Sequence, residues 1–170
     1  WVAKMIHAGE DLRFIARRIV IHAAEDVGLA DPMALVLANA AFQAAEFIGW
    51  PEARIPIAEA AIYIAGANKS NSVIKAIDAA LADVRSGKTI PVPSHLKDSH
   101  YAGAKKLGHG KGYEYAHDFP GHFVAQDYLG AKRRFYEPTE QGVEKKIKAR
   151  VDYWREHFAK LNDERTGDKQ

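Results

Sequence analysis

The chain has 170 residues, of which 47% are hydrophobic, enough to supply the core of one globular domain. It contains no cysteine, which excludes disulfides, thiolate metal sites and cysteine nucleophiles and is typical of a reducing compartment such as the cytosol. The net charge is only +2, although 101–170 carry 14 Lys and Arg against 11 Asp and Glu. This balance permits weak contact with a nucleic-acid backbone but does not argue for it.

Helical periodicity begins at residue 11, where apolar residues recur at spacings of three and four until Gly28, which is placed to end the helix. A second helix is predicted from Asp31, as its N-cap, through Pro32 at its first position to Gly49. Its many alanines allow a neighbouring helix to approach closely, which is typical of an inner helix of a bundle.

Two more helices are predicted over 57–67 and over the stretch capped by Ser70 or Ser72 that ends near residue 87. With the first two they are expected to form a compact antiparallel array. No stretch reaches the ~20 apolar residues that a membrane span needs, so we expect no membrane partner.

A last amphipathic helix is predicted from Thr139, with large apolar residues at spacings of three and four up to Leu161. We therefore predict an all-α fold, in which 1–162 form a single helical domain and 163–170 form a polar tail. Trp1 stands inside a helical pattern, which we interpret as the sign of a fragment from a longer protein.

Prolines and glycines break the helical period from about residue 88 to 138, with one candidate short helix over 101–108. The segment "LGHGKGYEYAHDFPGH" at 107–122 has glycines spaced by two, which fits neither a Walker A loop nor a dinucleotide-binding turn. Its aromatic residues favour an ordered segment that packs on the bundle or on a neighbouring subunit. The candidate packing residues here are Tyr113, Tyr115 and His117.

Histidines in this segment raise the alternative of a metal site, since His95, His109, His117 and His122 lie near two aspartates. None of them forms the helical pair of an H-E-x-x-H site, so structural or surface histidines are favoured. Ser94, His95 and Asp98 could be drawn as a catalytic triad, but no nucleophile elbow is present. We therefore predict no metal, no cofactor and no catalytic residue in this chain.

Anion binding is a further alternative. Arg13, Arg17 and Arg18 lie on one predicted helix, and Lys69 precedes Ser70 and Asn71 at the start of another, where free amides could bind a phosphate. Salt bridges and helix capping explain the same residues more simply. These basic residues remain the candidates for contact with DNA.

Several motifs occur in an order that is more specific than any one of them: "GEDLRFIARRIVIHAAEDVGLADP", "GWPEARIP", "YIAGANKSN", "VPSHLKD", "LGHGKGYEYAHD", "QDYL" and "RFYEPTEQGVE". Together they resemble the C-terminal region of the replication-associated recombination protein A family, also called MgsA, whose members are AAA+ ATPases of the clamp-loader group. The resemblance runs from about Met5 to Arg150. It departs from the usual family residues at Asn68, Lys97, His109 and Ala116, and two of these changes remove a proline from a loop.

The resemblance implies that the nucleotide-binding core, with its ATP and Mg²⁺, precedes this region, so the chain alone is expected not to hydrolyse ATP. It implies a cytoplasmic, nucleoid-associated protein that acts in DNA replication, recombination and repair at stalled forks. It also implies homotetramers formed through this region, with DNA and single-stranded-DNA-binding protein as partners of the whole protein.

Two functions follow as predictions. The first is a tetramerisation domain, which would bury the aromatic segment and the apolar stripe of the last helix. Its candidate interface residues are Tyr113, Tyr115, His117, Phe135, Trp154 and Phe158. The second is a DNA-contacting domain, which would bind the nucleic-acid backbone through Arg13, Arg17, Arg18 and Lys69.

Overall fold

The structure, a computed structural model, describes residues 1–88, 91–129 and 133–167, and side chains are not described at 105 or over 161–167. All regular elements in these ranges are helical, which confirms the all-α prediction. No helix in the described part of the chain is long and apolar enough to cross a membrane. The α-helices are α1 (Val2–His7), α2 (Leu12–His22), α3 (Met33–Ile48), α4 (Arg54–Gly66), α5 (Ser72–Arg85) and α6 (Glu144–Gly167).

The chain divides into two compact units. The first comprises Trp1–Ala80 and Phe135–Arg150, and the second comprises Leu81–Arg134 and Val151–Gln170.

Helix α2 begins and ends as the sequence predicts. Asp11 is its N-cap and accepts a hydrogen bond from the Phe14 amide at 3.1 Å. The helix continues as a π-helical turn over Ala23–Val27 and ends at Gly28, whose φ is +52°. A Cβ added at Gly28 would lie 2.7 Å from the Ser70 carbonyl oxygen, so glycine is required there for both its conformation and its size.

Helix α3 starts slightly later than predicted. Pro32 occupies the cap position, while the carboxylate of Asp31 accepts a hydrogen bond from the Met33 amide at 3.2 Å. The helix ends at Gly49, which has a φ of +76°, in agreement with the prediction. Its four buried residues are all alanines, at 34, 38, 41 and 45.

Helices α4 and α5 form close to their predicted positions, and α4 packs against α2 and α3. Helix α4 starts at Arg54, three residues before the predicted start, because proline is tolerated in the first turn of a helix. Helix α5 starts at Ser72, whose amide donates to Ser70 Oγ at 3.4 Å. The core of the first unit combines small residues with a few larger ones, including Ile15, Ile19, Val27, Ile57 and the buried alanines of α2, α3 and α4.

The second unit contains short 3₁₀ turns in place of long helices. The predicted short helix over 101–108 is a 3₁₀ turn over Ala104–Leu107, and the other turns are Ser94–Leu96, Ala116–Asp118 and Pro120–His122. Among its described residues, the buried apolar ones are Ala104, Val124 and Ala125.

The predicted start of the last helix at Thr139 is wrong. Helix α6 begins at Glu144, because the Thr139 hydroxyl donates to the Glu144 carboxylate at 2.5 Å and the intervening residues form a turn. The helix continues to Gly167, so it includes the first residues of the predicted polar tail, and 168–170 lie outside the described residues.

Candidate interaction surface

The outer side of α3 exposes large apolar side chains. Phe47 is 92% exposed, Val36 59% and Met33 54%, whereas the inner side of the helix contributes the buried alanines. The prediction that α3 is an inner helix is therefore correct for one side only. We define the α3 stripe as Met33, Val36, Ala40, Gln43 and Phe47, which are all exposed and are spaced by three, four, three and four residues.

A second apolar surface lies between α1, α3 and α4. It is an open groove of about 1130 Å³, lined mainly by apolar side chains. Ile55 and Ile62 lie seven residues apart on α4, both contribute to this groove, and Ile62 is 73% exposed. Leu37 of α3 and Ile6 of α1 also contribute apolar side chains to its lining. The first unit therefore presents two apolar surfaces, whereas monomeric proteins rarely expose large contiguous apolar patches.

The α3 stripe carries no charged residue. Glu46 is the one charged residue of α3, and its carboxylate accepts a hydrogen bond from Arg13 Nε of α2 at 2.8 Å. Approach of an apolar partner to the stripe therefore requires no charge to leave water, and this lowers the cost of binding.

The residues predicted to contact DNA are largely engaged within the first unit. Arg13 forms the ion pair with Glu46, and the guanidinium of Arg17 lies 5.9 Å from the centre of the Phe14 ring. Lys69 Nζ donates to the carbonyl oxygens of Ile64 and Ala67, so it satisfies backbone acceptors at the end of α4. Arg18 is exposed. Arg13 and Lys69 therefore have partners within the chain, and their contact with DNA stays a prediction.

The residues predicted to form an interface lie in different environments. In the second unit, Trp154 stacks on Phe123 with ring centres 4.2 Å apart, and Phe158 is half-buried. Phe135, in the first unit, is also half-buried. The remaining three are exposed and belong to the second unit: Tyr113, Tyr115 and His117.

The sequence suggests an anion site at the corner formed by Lys69, Ser70 and Asn71. In the structure a carboxylate of the chain itself, that of Glu144, lies beside this corner. The carboxylate of Glu144 is buried, and Ser72 Oγ donates to it at 2.5 Å. Ser70 Oγ lies 3.1 Å from Ser72 Oγ, which extends the same hydrogen-bonded cluster. Two further donors complete it, Tyr136 Oη at 2.8 Å and Thr139 Oγ1 at 2.5 Å. We call these groups the Glu144 cluster.

The Glu144 cluster keeps its carboxylate ionised. Burial acts to raise the pKa of Glu144, but the hydrogen bonds outweigh burial and lower the pKa from 4.5 to about 2. The donors are Ser70, Ser72, Thr139 and Tyr136. The neighbouring Val143 amide donates to the Ala30 carbonyl at 2.8 Å, so main-chain and side-chain hydrogen bonds join the segment before α6 to the earlier part of the first unit.

The histidines considered as metal ligands have other neighbours. The His95 ring packs against Tyr128 with centres 5.8 Å apart, and His109 Nδ1 lies 2.6 Å from Tyr101 Oη. His117 and His122 pack ring to ring at 4.8 Å. Within the described residues, no three His, Asp or Glu side chains come together in a group that could hold a metal ion.

The triad drawn from the sequence has no triad geometry. Asp98 binds His100, since it accepts hydrogen bonds from both the backbone amide and the ring of that residue, at 2.9 and 2.8 Å. These two hydrogen bonds lower the pKa of Asp98 below its usual range, and the bond from the His100 backbone amide has the larger effect. The Ser94 carbonyl oxygen accepts a hydrogen bond from the Gly110 amide at 2.7 Å, which joins two parts of the second unit's loop.

Sequence reasoning missed both the α3 stripe and the Glu144 cluster. The stripe has a signal in the sequence, because Met33, Val36 and Phe47 recur at helical spacing opposite the alanines, but only a structure shows that nothing in the first unit covers it. The Glu144 cluster has no signal, since Ser72 and Glu144 lie 72 residues apart.

Comparison with known proteins confirms the family resemblance. The family model described as MgsA AAA+ ATPase C terminal matches residues 1–155. Replication-associated recombination protein A of Bacillus subtilis is 48% identical over 145 residues, covering 84% of this chain and 34% of that protein. The protein of the same name in Escherichia coli is 41% identical over 151 residues, which cover 86% of this chain and 34% of that protein.

An uncharacterized AAA domain-containing protein of Mycobacterium tuberculosis is 48% identical over 155 residues, which cover 89% of this chain and 34% of that protein. The chain thus spans about a third of the length of these curated relatives, and the part that it matches is not the ATPase core. The chain belongs to the MgsA family of AAA+ ATPases, whose members include replication-associated recombination protein A, and corresponds to the family's C-terminal region.

Proposed function

We propose that this region is the self-association domain of a AAA+ ATPase that acts in replication-associated recombination, and that it assembles as a homotetramer. The observation that carries the proposal is the outward-facing apolar surface of α3 and α4, above all Phe47 and Ile62. Each square ångström of apolar surface that leaves water contributes about 25 cal/mol, and an aromatic side chain buries roughly 150–250 Å². Contact between copies would remove this surface from water.

The number of apolar surfaces supports a tetramer over a dimer. A closed tetramer built on two-fold axes uses two different isologous interfaces in every copy. The first unit offers two candidates, the α3 stripe and the groove lined by Ile55 and Ile62. A protein with a single apolar surface would bury that surface completely by forming a dimer.

In this proposal the activity of the whole protein lies in the part that precedes the family's C-terminal region. ATP and Mg²⁺ would bind there, and DNA and single-stranded-DNA-binding protein would be partners of the complete tetramer. The role of this chain is to bring several ATPase cores together. Nucleotide titration of the chain alone should therefore show no saturable binding at micromolar ATP.

A sedimentation-velocity dilution series of the chain tests the proposal. We expect a species of four times 18.8 kDa that dissociates on dilution. A single monomeric species at every concentration up to hundreds of micromolar would contradict it.

A second candidate function is contact with the nucleic-acid backbone. The observation in its favour is the exposure of Lys145, Lys146 and Arg150 at the start of α6. Cations at a helix N-terminus oppose the helix dipole, so a helix gains no stability from them there. Salt-dependent titration with a labelled oligonucleotide tests this function, and a Lys145→Glu, Lys146→Glu variant should lose the salt-dependent binding while it assembles normally.

A further inference from the structure

We infer that the α3 stripe pairs with the α3 stripe of a second copy of this chain, antiparallel, across a two-fold axis beside Ala40. This inference rests on the proposed self-association and names the surface of one of its interfaces. The stripe runs from Met33 to Phe47, about 21 Å along the helix at ~1.5 Å per residue.

The order of side-chain sizes along the stripe makes it complementary to itself. Larger side chains lie on both sides of the middle, Met33 and Val36 on one side and Gln43 and Phe47 on the other, and the small Ala40 lies at the middle. A two-fold axis beside Ala40 places Met33 of one copy opposite Phe47 of the other and brings the two Ala40 residues together. The small residue permits close approach of the backbones, and the large residues at the ends then interlock.

The spacing of the stripe suits a helix partner. Intervals of three and four residues keep one line of side chains facing a second helix, as in antiparallel helix pairs. Leu35 and Ile48 are also exposed, but each lies roughly 100° or more around the helix from the centre line of the stripe, so other exposed residues must widen the contact. This matters because a stable interface buries about 800 Å² on each partner, more than the stripe alone supplies.

Charge also favours a second copy as the occupant. The stripe contains no charged side chain, and the nearest acid on the helix, Glu46, is already paired with Arg13. Two identical surfaces therefore meet without repulsion between like charges. A partner selected by charge would find no complementary group on the stripe.

The geometry at Ala40 predicts the result of cross-linking. Packed helices have axes about 8–10 Å apart, and Cα atoms lie about 2.3 Å from each axis, so the two Ala40 Cα atoms would be about 3.4–5.4 Å apart. This separation lies within or close to the range in which a disulfide forms. The chain has no cysteine of its own, so one introduced cysteine reports on one position.

The test compares Ala40→Cys with Asn39→Cys, an exposed neighbour on the same helix outside the stripe. Under mild oxidation we expect Ala40→Cys to become mostly a covalent dimer within minutes, and Asn39→Cys to cross-link at least tenfold more slowly. A second pair avoids oxidation: Ala40→Asp should weaken the association at least tenfold, because two like charges meet at the axis, while Asn39→Asp leaves it unchanged. Circular dichroism should show the same helix content in all four variants, since both positions are exposed.

The outcomes separate this inference from the proposed function. If the unmodified chain assembles but Ala40→Cys cross-links no faster than Asn39→Cys, or Ala40→Asp assembles normally, the stripe is not the interface and self-association uses another surface. If the unmodified chain never assembles, both are wrong. Faster cross-linking at Ala40 together with dissociation of Ala40→Asp supports the pairing.

Discussion

The two units of the chain distribute their apolar side chains in opposite ways. In the first unit, α3 buries only alanines, while its large residues, such as Val36 and Phe47, face outward. In the second unit, few of the described apolar residues are buried, but large rings pack against one another, as Phe123 and Trp154 do with centres 4.2 Å apart.

The difference indicates where a partner is needed. A helix that needed only its own core would gain more by placing large residues inside and alanines outside. The reverse arrangement on α3 is understandable when the outer surface is itself buried in an assembly. By contrast, the ring contacts around Trp154 remove apolar surface from water within the second unit itself.

Because the two units are stabilised by different contacts, we expect each unit to have its own sensitive positions. Variants of the Glu144 cluster and of the turn beside it should affect the first unit, variants of the ring contacts should affect the second, and a surface ion pair should affect neither.

The largest effect is expected at Glu144. Glu144→Ala leaves a buried group of hydroxyls without its acceptor and removes charge-assisted hydrogen bonds, so we expect a loss of about 4 kcal/mol in the free energy of unfolding. Urea denaturation measures it. Ser72→Ala removes one donor only and should cost about 1–2 kcal/mol. Equal, small losses in both variants would show that the cluster contributes little.

The same cluster predicts a dependence of stability on pH. Because the folded pKa of Glu144 is lowered from 4.5 to about 2, its contribution is complete above about pH 4.5 and is lost as the pH falls towards 2. Glu144→Gln should be less stable than the parent at pH 7 and should lose less stability between pH 5 and pH 2. Parallel curves for the two proteins would refute the assignment.

Gly142 should be the next most sensitive position. Its φ is +51°, and a Cβ added there would lie 2.1 Å from the Ala30 carbonyl oxygen, so Gly142→Ala should cost about 3 kcal/mol. Gly9 is a matched control in the same unit, because its φ of +77° is similar and an added Cβ meets nothing within 4 Å. Gly9→Ala should cost only about 1 kcal/mol. Thermal melts of the two variants give the comparison.

A smaller effect is expected in the second unit. Trp154→Ala removes the ring stacked on Phe123 and should cost about 2 kcal/mol, below the value for a fully buried aromatic residue because Trp154 is half-buried. Hydrogen exchange should accelerate in the second unit and not around Ile15 in the first. Exchange that accelerates equally in both units would show that they unfold together.

The smallest effect is expected at Arg13. Its ion pair with Glu46 is exposed, so Arg13→Ala should change stability by less than about 1 kcal/mol and leave assembly unchanged. A double-mutant cycle with Glu46→Ala isolates the pair. A coupling well above that value would mean that the pair helps to hold α2 against α3.

The sequence predicts helix ends well where the signal is local. Asp11 and Gly28 bound α2 and its π-helical turn, and Gly49 ends α3, because caps and glycines act within a few residues. The start of α6 could not be predicted in this way. The hydroxyl of Thr139 binds Glu144, whose environment is completed by Ser72, and no local pattern records that contact.

The candidate site shows the same limit. Alanine spacing correctly predicts the buried side of α3, since small residues are what a closely packed neighbour requires. The pattern of Met33, Val36 and Phe47 predicts a helix with a second apolar side, but whether another helix of the same chain covers that side depends on contacts between distant residues. The aromatic residues around 113–123 predict packing, but not which ring meets which.

We propose that the outer apolar surface of the first unit, and not the ring contacts of the second, holds copies of this chain together. Light scattering of the unmodified chain, Phe47→Asp and Tyr115→Asp at equal concentration tests it most directly. We expect a mass of four times 18.8 kDa for the unmodified chain and for Tyr115→Asp, and a lower mass for Phe47→Asp with unchanged helix content. A tetramer that survives Phe47→Asp but dissociates in Tyr115→Asp, or an unmodified chain that stays monomeric, would contradict it.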